Sequence, residues 1–305
     1  MVVEKISKNF FLSLSKNKIL NKGARKWGLR LGASQVVAGV TIDSVINAVR
    51  NLNERGLVCT VDHLGEFVLS KEEALESTNI CIKTVEAIAA TGVKCNLSVK
   101  LTQLGLDISP SFCLENMLNI VEVANKHNIF VRIDMEDFSR KQATLEILKE
   151  LRKKYSNVGT VIQAYLHCAE KDVKELKGIS LRLVKGAYKE LEEVAFQDKR
   201  EIDENYIKII KEHLLSGSYT AIATHDHQII DYVKAFCEQE NIPRTQFEFQ
   251  MLYGFRTDLQ QQLADEGYTM RIYVPYGKDW YGYFMRRLAE RPQNVSFALR
   301  GFLSK

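Results

Sequence analysis

Three charged side chains near the C-terminus, Arg286, Arg287 and Glu290, are spaced for chemistry. Arg286 and Glu290 stand four apart and Arg287 and Glu290 three apart, so a helix brings them onto neighbouring positions of one face. Just upstream, the alternating run Arg271-Ile-Tyr-Val-Pro-Tyr-Gly277 puts Tyr273 at a strand end. Two adjacent guanidiniums beside a phenol can hold a small carboxylate through paired hydrogen bonds. A solvated helix face with ordinary ion pairs uses the same residues.

Other polar groups recur where short apolar runs stop. They are Asp62, His63 and Glu66; Lys100; Arg132, Asp134 and Glu136; Gln163 and Tyr165; Arg182, then Val184-Lys-Gly-Ala-Tyr188; Thr224-His-Asp-His227; Glu248 and Gln250; and Arg271 with Tyr273. Inward polar residues are costly to bury without a ligand or mutual pairing, so together they describe a large polar site. His225 and His227, with Asp134 and Asp226, could begin a metal site. They straddle a strand end where the chain turns, and no third histidine is placed with them, which favours hydrogen-bonded histidines. Lys100 or Lys185 could form a Schiff base with a carbonyl substrate; pairing with Asp134 or Glu66 is the commoner fate of a buried lysine.

The elements that must position these residues alternate regularly. Apolar, strand-like runs fall at 57–61, 96–101, 130–134, 160–166, 180–185, 220–224, 247–251 and 270–274. Helical patterns follow at about 71–90, 111–127, 139–154, 170–176, 201–215, 228–240, 256–264 and from near 279. Eight strand-then-helix units predict an α/β fold, a parallel (β/α)8 barrel of the TIM type over 56–305, preceded by a helical arm over 1–55. The active site of such a barrel lies at the C-terminal ends of its strands. No Gly-x-Gly-x-x-Gly follows a strand and no phosphate-binding P-loop occurs, which removes the usual dinucleotide and Walker fingerprints.

Composition narrows the setting. The 305 residues are those of a globular protein, and no apolar run is long enough to span a bilayer. Six scattered cysteines without a C-x-x-C pair fit a reducing, cytoplasmic compartment rather than secretion. The net charge of +4 is concentrated in the first 42 residues, where eight Lys or Arg face one acid, Glu4. A basic arm of this kind suits peripheral contact with an anionic membrane face; nucleic acid and a transit peptide are other uses of such charge, and an ordinary solvated helix is the simplest.

Read in order, these residues resemble the FAD-dependent proline dehydrogenases. The resemblance runs from Asp62-His-Leu-Gly-Glu66 through Ser98-Val-Lys-Leu-Thr-Gln-Leu-Gly105, Arg132-Ile-Asp-Met-Glu136, Ile162-Gln-Ala-Tyr165 and Arg182-Leu-Val-Lys-Gly-Ala-Tyr188. It continues through Ala223-Thr-His225, Phe247-Glu-Phe-Gln250 and Arg271-Ile-Tyr273 to the RRLAERPQN segment ending at Asn294. The resemblance implies that Arg286 and Arg287 bind the carboxylate of L-proline, with Lys100 and Tyr273 completing the polar pocket. Tyr188 and Leu252 would pack on the pyrrolidine ring, and Asp134 would hold Lys100, Tyr273 or an arginine in place. Arg182 would lie beside flavin N5, with Gln163, Val184, Lys185, Gly186, Ala187, Thr224, His225 and Glu290 as further FAD contacts. Lys189 departs from the family pattern where a tryptophan is expected, and Asp226 replaces an asparagine; both bear on local flavin and adenine contacts.

The implied reaction is oxidation of proline to Δ1-pyrroline-5-carboxylate, by hydride transfer from C5 to flavin N5, with electrons passed to a quinone. The chain is too short to hold an aldehyde dehydrogenase domain as well, so a monofunctional bacterial enzyme is expected. A separate pyrroline-5-carboxylate dehydrogenase would be a transient partner, and no nucleic-acid partner is expected. Two other readings use the same residues: a metal-dependent hydrolase built on His225 and His227, and a barrel retained only for binding.

Overall fold

A strand buried on both faces needs a neighbour on each edge, and eight such strands here satisfy one another by closing into a ring. The computed structural model describes residues 33–65 and 68–290, excepting the side chains of 286–290. The strands are β1 (Val58–His63), β2 (Cys95–Val99), β3 (Val131–Ile133), β4 (Val158–Gln163), β5 (Leu181–Val184), β6 (Thr220–Ala223), β7 (Phe247–Leu252) and β8 (Met270–Tyr276). All neighbours are parallel, and β1 pairs with β8 from Val58↔Arg271 to His63↔Tyr276. The (β/α)8 barrel expected from the alternation is therefore the fold.

The helices are α1 (Ile42–Glu54), α2 (Lys71–Thr91), α3 (Pro110–Lys126), α4 (Phe138–Arg152), α5 (Ala169–Glu175), α6 (Lys199–Leu215), α7 (His227–Gln239), α8 (Thr257–Asp265) and α9 (Trp280–Glu290). Local sequence sets their ends. Thr41 and Ser44 form a reciprocal capping box at α1, and Ser70 caps α2 by accepting from the Glu73 amide. Gly92 ends α2 at φ 65, a left-handed conformation that glycine adopts without a Cβ penalty. Helix α1 buries Val45, Ile46, Val49 and Leu52 in the same apolar core as the outward faces of β1 and β8. A second apolar cluster joins Trp280, Tyr281, Tyr283, Phe284 and Met285 of α9 to Leu64, Ala33 and Val37. Among the described residues no helix is long and apolar enough to cross a membrane.

Four strand ends differ notably from the sequence reading. Strand β1 continues to His63 and β8 to Tyr276, because their ladder persists past Pro275. Pro275 has no N–H to offer, but its carbonyl accepts from Ala38 N at 2.9 Å, and Tyr276 O accepts from Leu64 N at 2.7 Å. Strand β2 stops at Val99, and Leu101–Leu104 turn as a 3-10 helix closed by Gly105 at φ 92. Lys100 thus stands at the mouth of the barrel. Strand β4 ends at Gln163 rather than near Leu166, which bonds back to Gln163 O at 3.2 Å and bridges antiparallel to Ala195. The N-terminal arm before residue 33, Glu66 and the segment after residue 290 lie outside the described residues.

The lower barrel interior is polar and closed on itself. Arg271 donates to Glu248 Oε1 at 2.8 Å and to Cys59 O at 2.7 Å. Arg132 donates to Thr160 O, Ser180 O and Ser180 Oγ at 3.0, 2.5 and 2.9 Å. Room for that guanidinium comes from Gly159, where an added Cβ would overlap the Ser180 carbonyl and crowd Phe130 and Arg132. Gly159→Ala should therefore lower unfolding free energy by about 1–3 kcal/mol. Equilibrium denaturation showing no loss would mean that the Arg132 layer can shift without cost.

Candidate functional site

Alternation along the strands fixes which side chains reach the mouth. On β1, Thr60 and Asp62 point inward, as do Ser98 on β2 and Lys100 just after it; Thr60 Oγ1 lies 3.1 Å from Ser98 Oγ. Asp134 follows β3, Arg182 lies on β5, and Tyr273 lies on β8. These side chains converge.

The Asp134 carboxylate is their meeting point. Its Oδ2 accepts from Lys100 Nζ at 3.1 Å and from the Tyr273 hydroxyl at 2.7 Å, and its Oδ1 accepts from Arg182 NH1 at 2.7 Å. Lys100 Nζ also donates to Asp62 Oδ2 at 2.9 Å and to the Tyr273 oxygen at 3.1 Å. Arg182 donates through NH2 to Ser98 Oγ at 3.0 Å, and its guanidinium lies 5.2 Å from the Tyr273 ring centroid. Two buried polar atoms here have no partner among the described residues: Asp62 Oδ1 and Arg182 Nε.

Electrostatics separates the two carboxylates. Burial pushes the Asp134 carboxyl up, but the Lys100 and Arg182 charges outweigh it and hold the group below its ordinary value. Asp62 is buried as deeply; that burial, with Asp134 nearby, raises its pKa despite the opposing Lys100 charge. Burial and then the charges of Asp134 and Asp62 drive the Tyr273 phenol well above its usual range, so it stays protonated and donates.

Around this centre the other expected residues occupy strand ends and the following loops. Gln163 Nε2 donates to Glu136 O at 2.9 Å, while the Glu136 carboxylate accepts from Thr102 N and Oγ1 at 3.0 and 2.5 Å. Val184 ends β5 and Ala187 is exposed two residues after Lys185. Lys185 Nζ is paired with Asp203 at 2.5 Å and with Asp226 at 3.1 Å. Gly186, at φ 124, lies flush against the Tyr165 ring, where a Cβ would overlap it. Thr224 Oγ1 accepts from Asp226 N at 3.1 Å, and Asp226 in turn caps α7 through Gln228 N at 3.1 Å. Leu252 ends β7, and Tyr188 is half-buried in the segment after β5. Arg286, Arg287 and Glu290 fall within α9, but their side chains lie outside the described residues.

The alternatives left open by the sequence narrow here. His225 Nε2 accepts from Leu252 N at 3.1 Å, which occupies the lone pair a metal would need. Among the described residues no three His, Cys, Asp or Glu side chains group to hold a metal. Lys100 pairs with Asp134, as a buried lysine should, and Asp62 is the second partner. The sequence reading counted Asp62 among the polar strand-end groups without giving it a role. Its signal was the two-residue alternation that places Asp62 and Lys100 one layer above Thr60 and Ser98. Arg132 and Arg271, also inward, belong to the saturated lower layer rather than to the site.

A closed (β/α)8 barrel with a buried ionic cluster at the C-terminal strand ends is the architecture of a TIM-barrel enzyme. The proline dehydrogenase family model matches residues 45–300, and the chain belongs to the proline dehydrogenase family. Proline dehydrogenase 2 of Bacillus subtilis strain 168 is 54% identical over 302 residues, covering 98% of this chain and 100% of that protein. Proline dehydrogenase of Deinococcus radiodurans is 40% identical over 311 residues, covering 99% of each. Among solved structures, proline utilization A from Bdellovibrio bacteriovorus, inactivated by N-propargylglycine, superposes with a TM-score of 0.81 at 30% identity. That match covers 90% of this chain and 34% of the larger protein.

The carboxylates give a pH signature. Asp134 is held below its ordinary value, so its stabilising contribution is present above about pH 4 and is lost as pH falls through and below that range. Asp62 has the opposite sign: its raised pKa favours folding at low pH and weakens it as the group ionises. Asp134→Asn should cost about 3–5 kcal/mol at neutral pH, because Lys100 and Arg182 lose a buried counter-charge. The gap to the parent should shrink on acidification to about pH 3. A gap that stays constant with pH would remove charge from this account.

Proposed function

We propose that the protein oxidises L-proline to Δ1-pyrroline-5-carboxylate, the first step of proline catabolism, with FAD as its cofactor. The observation that carries the reading is the Asp134 hub, which presents Lys100, Tyr273 and Arg182 together at the barrel mouth. The residues fit a flavin at one testable point: Arg182 keeps a buried Nε–H with no partner among the described residues, a donor where the family resemblance puts flavin N5. Glycine at 186 lets the main chain after β5 lie flat on Tyr165, and the residues proposed to line the cofactor, Val184 to Ala187, follow from that path. When bound, the flavin would accept the hydride from proline C5 and pass the electrons to a quinone.

The chain's own residues would bind, orient and set charge. Arg286 and Arg287 would neutralise the proline carboxylate by paired hydrogen bonds, helping a zwitterion leave water. Lys100 and Tyr273, fixed by Asp134 and Asp62, would complete that anion site without needing to reorganise. Tyr188 and Leu252 would close on the ring and keep C5 facing the cofactor. Positive charge from Lys100 and the arginines would lower the amine pKa, favouring the neutral nitrogen that hydride loss requires, with solvent taking the proton. Gln163, Lys185, Thr224, His225 and Glu290 would make the remaining cofactor contacts. A cytoplasmic enzyme docked peripherally on the membrane suits a quinone acceptor, with a separate pyrroline-5-carboxylate dehydrogenase consuming the product.

An absorbance spectrum of the purified protein, before and after anaerobic L-proline, tests the reading. A flavin spectrum that bleaches is expected; flavin that L-proline leaves oxidised would move the substrate elsewhere, and no flavin after reconstitution with FAD would overturn the cofactor. Tyr273 should also exclude ring hydroxylation, because its hydroxyl is pinned by Lys100 and Asp134 and cannot swing away. Turnover of 4-hydroxyproline should fall at least about tenfold below proline, the rate equivalent of about 1.4 kcal/mol. Equal kcat/KM for the two amino acids would sink that point.

A further inference from the structure

The segment from 185 to 198 joins β5 to α6 across the C-terminal face of the barrel and carries Tyr188. Main-chain bonds fasten both its ends to the turn after β4. Tyr165 N donates to Lys185 O at 2.8 Å, Phe196 N to Tyr165 O at 2.8 Å, and His167 N to Val194 O at 3.0 Å. Side chains of Phe138, Tyr165, Leu166, Val194 and Ala195 share a small apolar cluster beneath it.

The middle of the segment is held differently. Glu190 Oε1 accepts from the main-chain N–H of Phe138 at 2.7 Å, across 52 residues of sequence. Phe138 is the first residue of α4, and helix starts leave their first amides unsatisfied. Asp137 occupies the capping position but makes no side-chain bond to the helix amides. Its Oδ1 accepts from Ser139 Oγ at 2.6 Å and its Oδ2 pairs with Arg140, which is itself anchored to Asp107 at 2.7 Å. An N-cap side chain serves the second or third amide of a helix, so the first, that of Phe138, lies beyond any cap at Asp137, and Glu190 satisfies it. A carboxylate on a helix N-terminus gains from both the charged hydrogen bond and the helix dipole. The Tyr165 phenol is pushed up by burial and then by the Glu190 and Asp137 charges, so these groups meet at one corner.

We propose that Glu190 is the clasp of this segment, fixing the backbone two residues beyond Tyr188 and thereby setting where Tyr188 stands over the strand ends. Glu190 is a positioning residue: it acts through Tyr188 and the α4 amide. The catalytic consequence rests on Tyr188 being a wall of the proline pocket.

The test compares Glu190→Ala and Glu190→Gln with the parent as FAD-loaded proteins, by hydrogen exchange and by steady-state kinetics. Glutamine keeps an oxygen that can accept from Phe138 N, so its properties should stay near those of the parent. In Glu190→Ala, amides of 186–193 and of the first turn of α4 should exchange at least about tenfold faster, while the barrel strands keep parental protection. KM for L-proline should rise about fivefold to tenfold, with kcat changed less than about twofold and the flavin content unchanged. Unchanged exchange in the 186–193 segment would overturn the clasp, whatever the substrate is. Faster exchange with parental KM, in a protein that does oxidise proline, would overturn the positioning role alone. A parent whose flavin L-proline does not reduce would instead sink the substrate reading, with the clasp still decided by exchange.

Discussion

Asp134 gathers the ends of β2, β5 and β8 onto one carboxylate: an ammonium, a guanidinium and a phenol, each within 3.1 Å. A buried carboxylate is stable as an ion only with such company, and the cations in turn are tolerable only beside it. Asp62 supplies the second negative charge, so the buried set is two carboxylates against Lys100 and Arg182. No member can change alone without leaving a buried charge uncompensated. The geometry of the mouth is therefore a property of the whole cluster, transmitted by strand register from Asp62↔Ser98 and Thr60↔Tyr273.

The same physical criterion divides scaffold from site. Below the mouth, Arg271, Glu248 and Arg132 spend their hydrogen bonds on protein partners, and they seal the barrel as an apolar plug does in other barrels. At the mouth the saturation stops. Asp62 Oδ1 and Arg182 Nε are buried with nothing among the described residues to bond to, a costly state for a fold that had no ligand to receive. Inward polarity by itself marks neither role. Leftover bonding capacity does, and it appears one layer above groups of the same type that have none.

This distinction explains what the sequence could convey. Alternation of two-residue and helical periods is local, so eight strand–helix units and the barrel were legible, as were the strand-end positions of Lys100, Asp134, Arg182 and Tyr273. Partner identity is not local. Asp134 with Lys100 was readable from types and placement, but the choice of Asp62 as the other partner depends on the register of β1 against β2, where Asp62 stands beside Ser98. Arg132 and Arg271 looked as much like site residues as Arg182 did, because saturation by main-chain carbonyls leaves no mark in the sequence. The ends of β1 and β8 ran longer than expected since a proline that stops most ladders here keeps its carbonyl side paired.

Glu190 is the extreme case of the same limit. In sequence it sits in an acidic loop, indistinguishable from Glu192 or Glu193, and nothing near it is a helix start. Its role exists because the first amide of α4, Phe138 N, lies beyond what a cap at Asp137 serves, leaving a donor that a distant carboxylate can reach. A barrel builds its site from loops whose ends are fixed by strands but whose middles are not. Where a loop must hold a side chain over the strand ends, a helix start on the same face of the barrel offers a strong acceptor-seeking group, for its first amides are oriented and lack intrahelical partners. Cross-unit capping of this kind links the β3–α4 turn to the loop after β5, so the precision of the mouth rests on its rim as well as on the ionic cluster beneath.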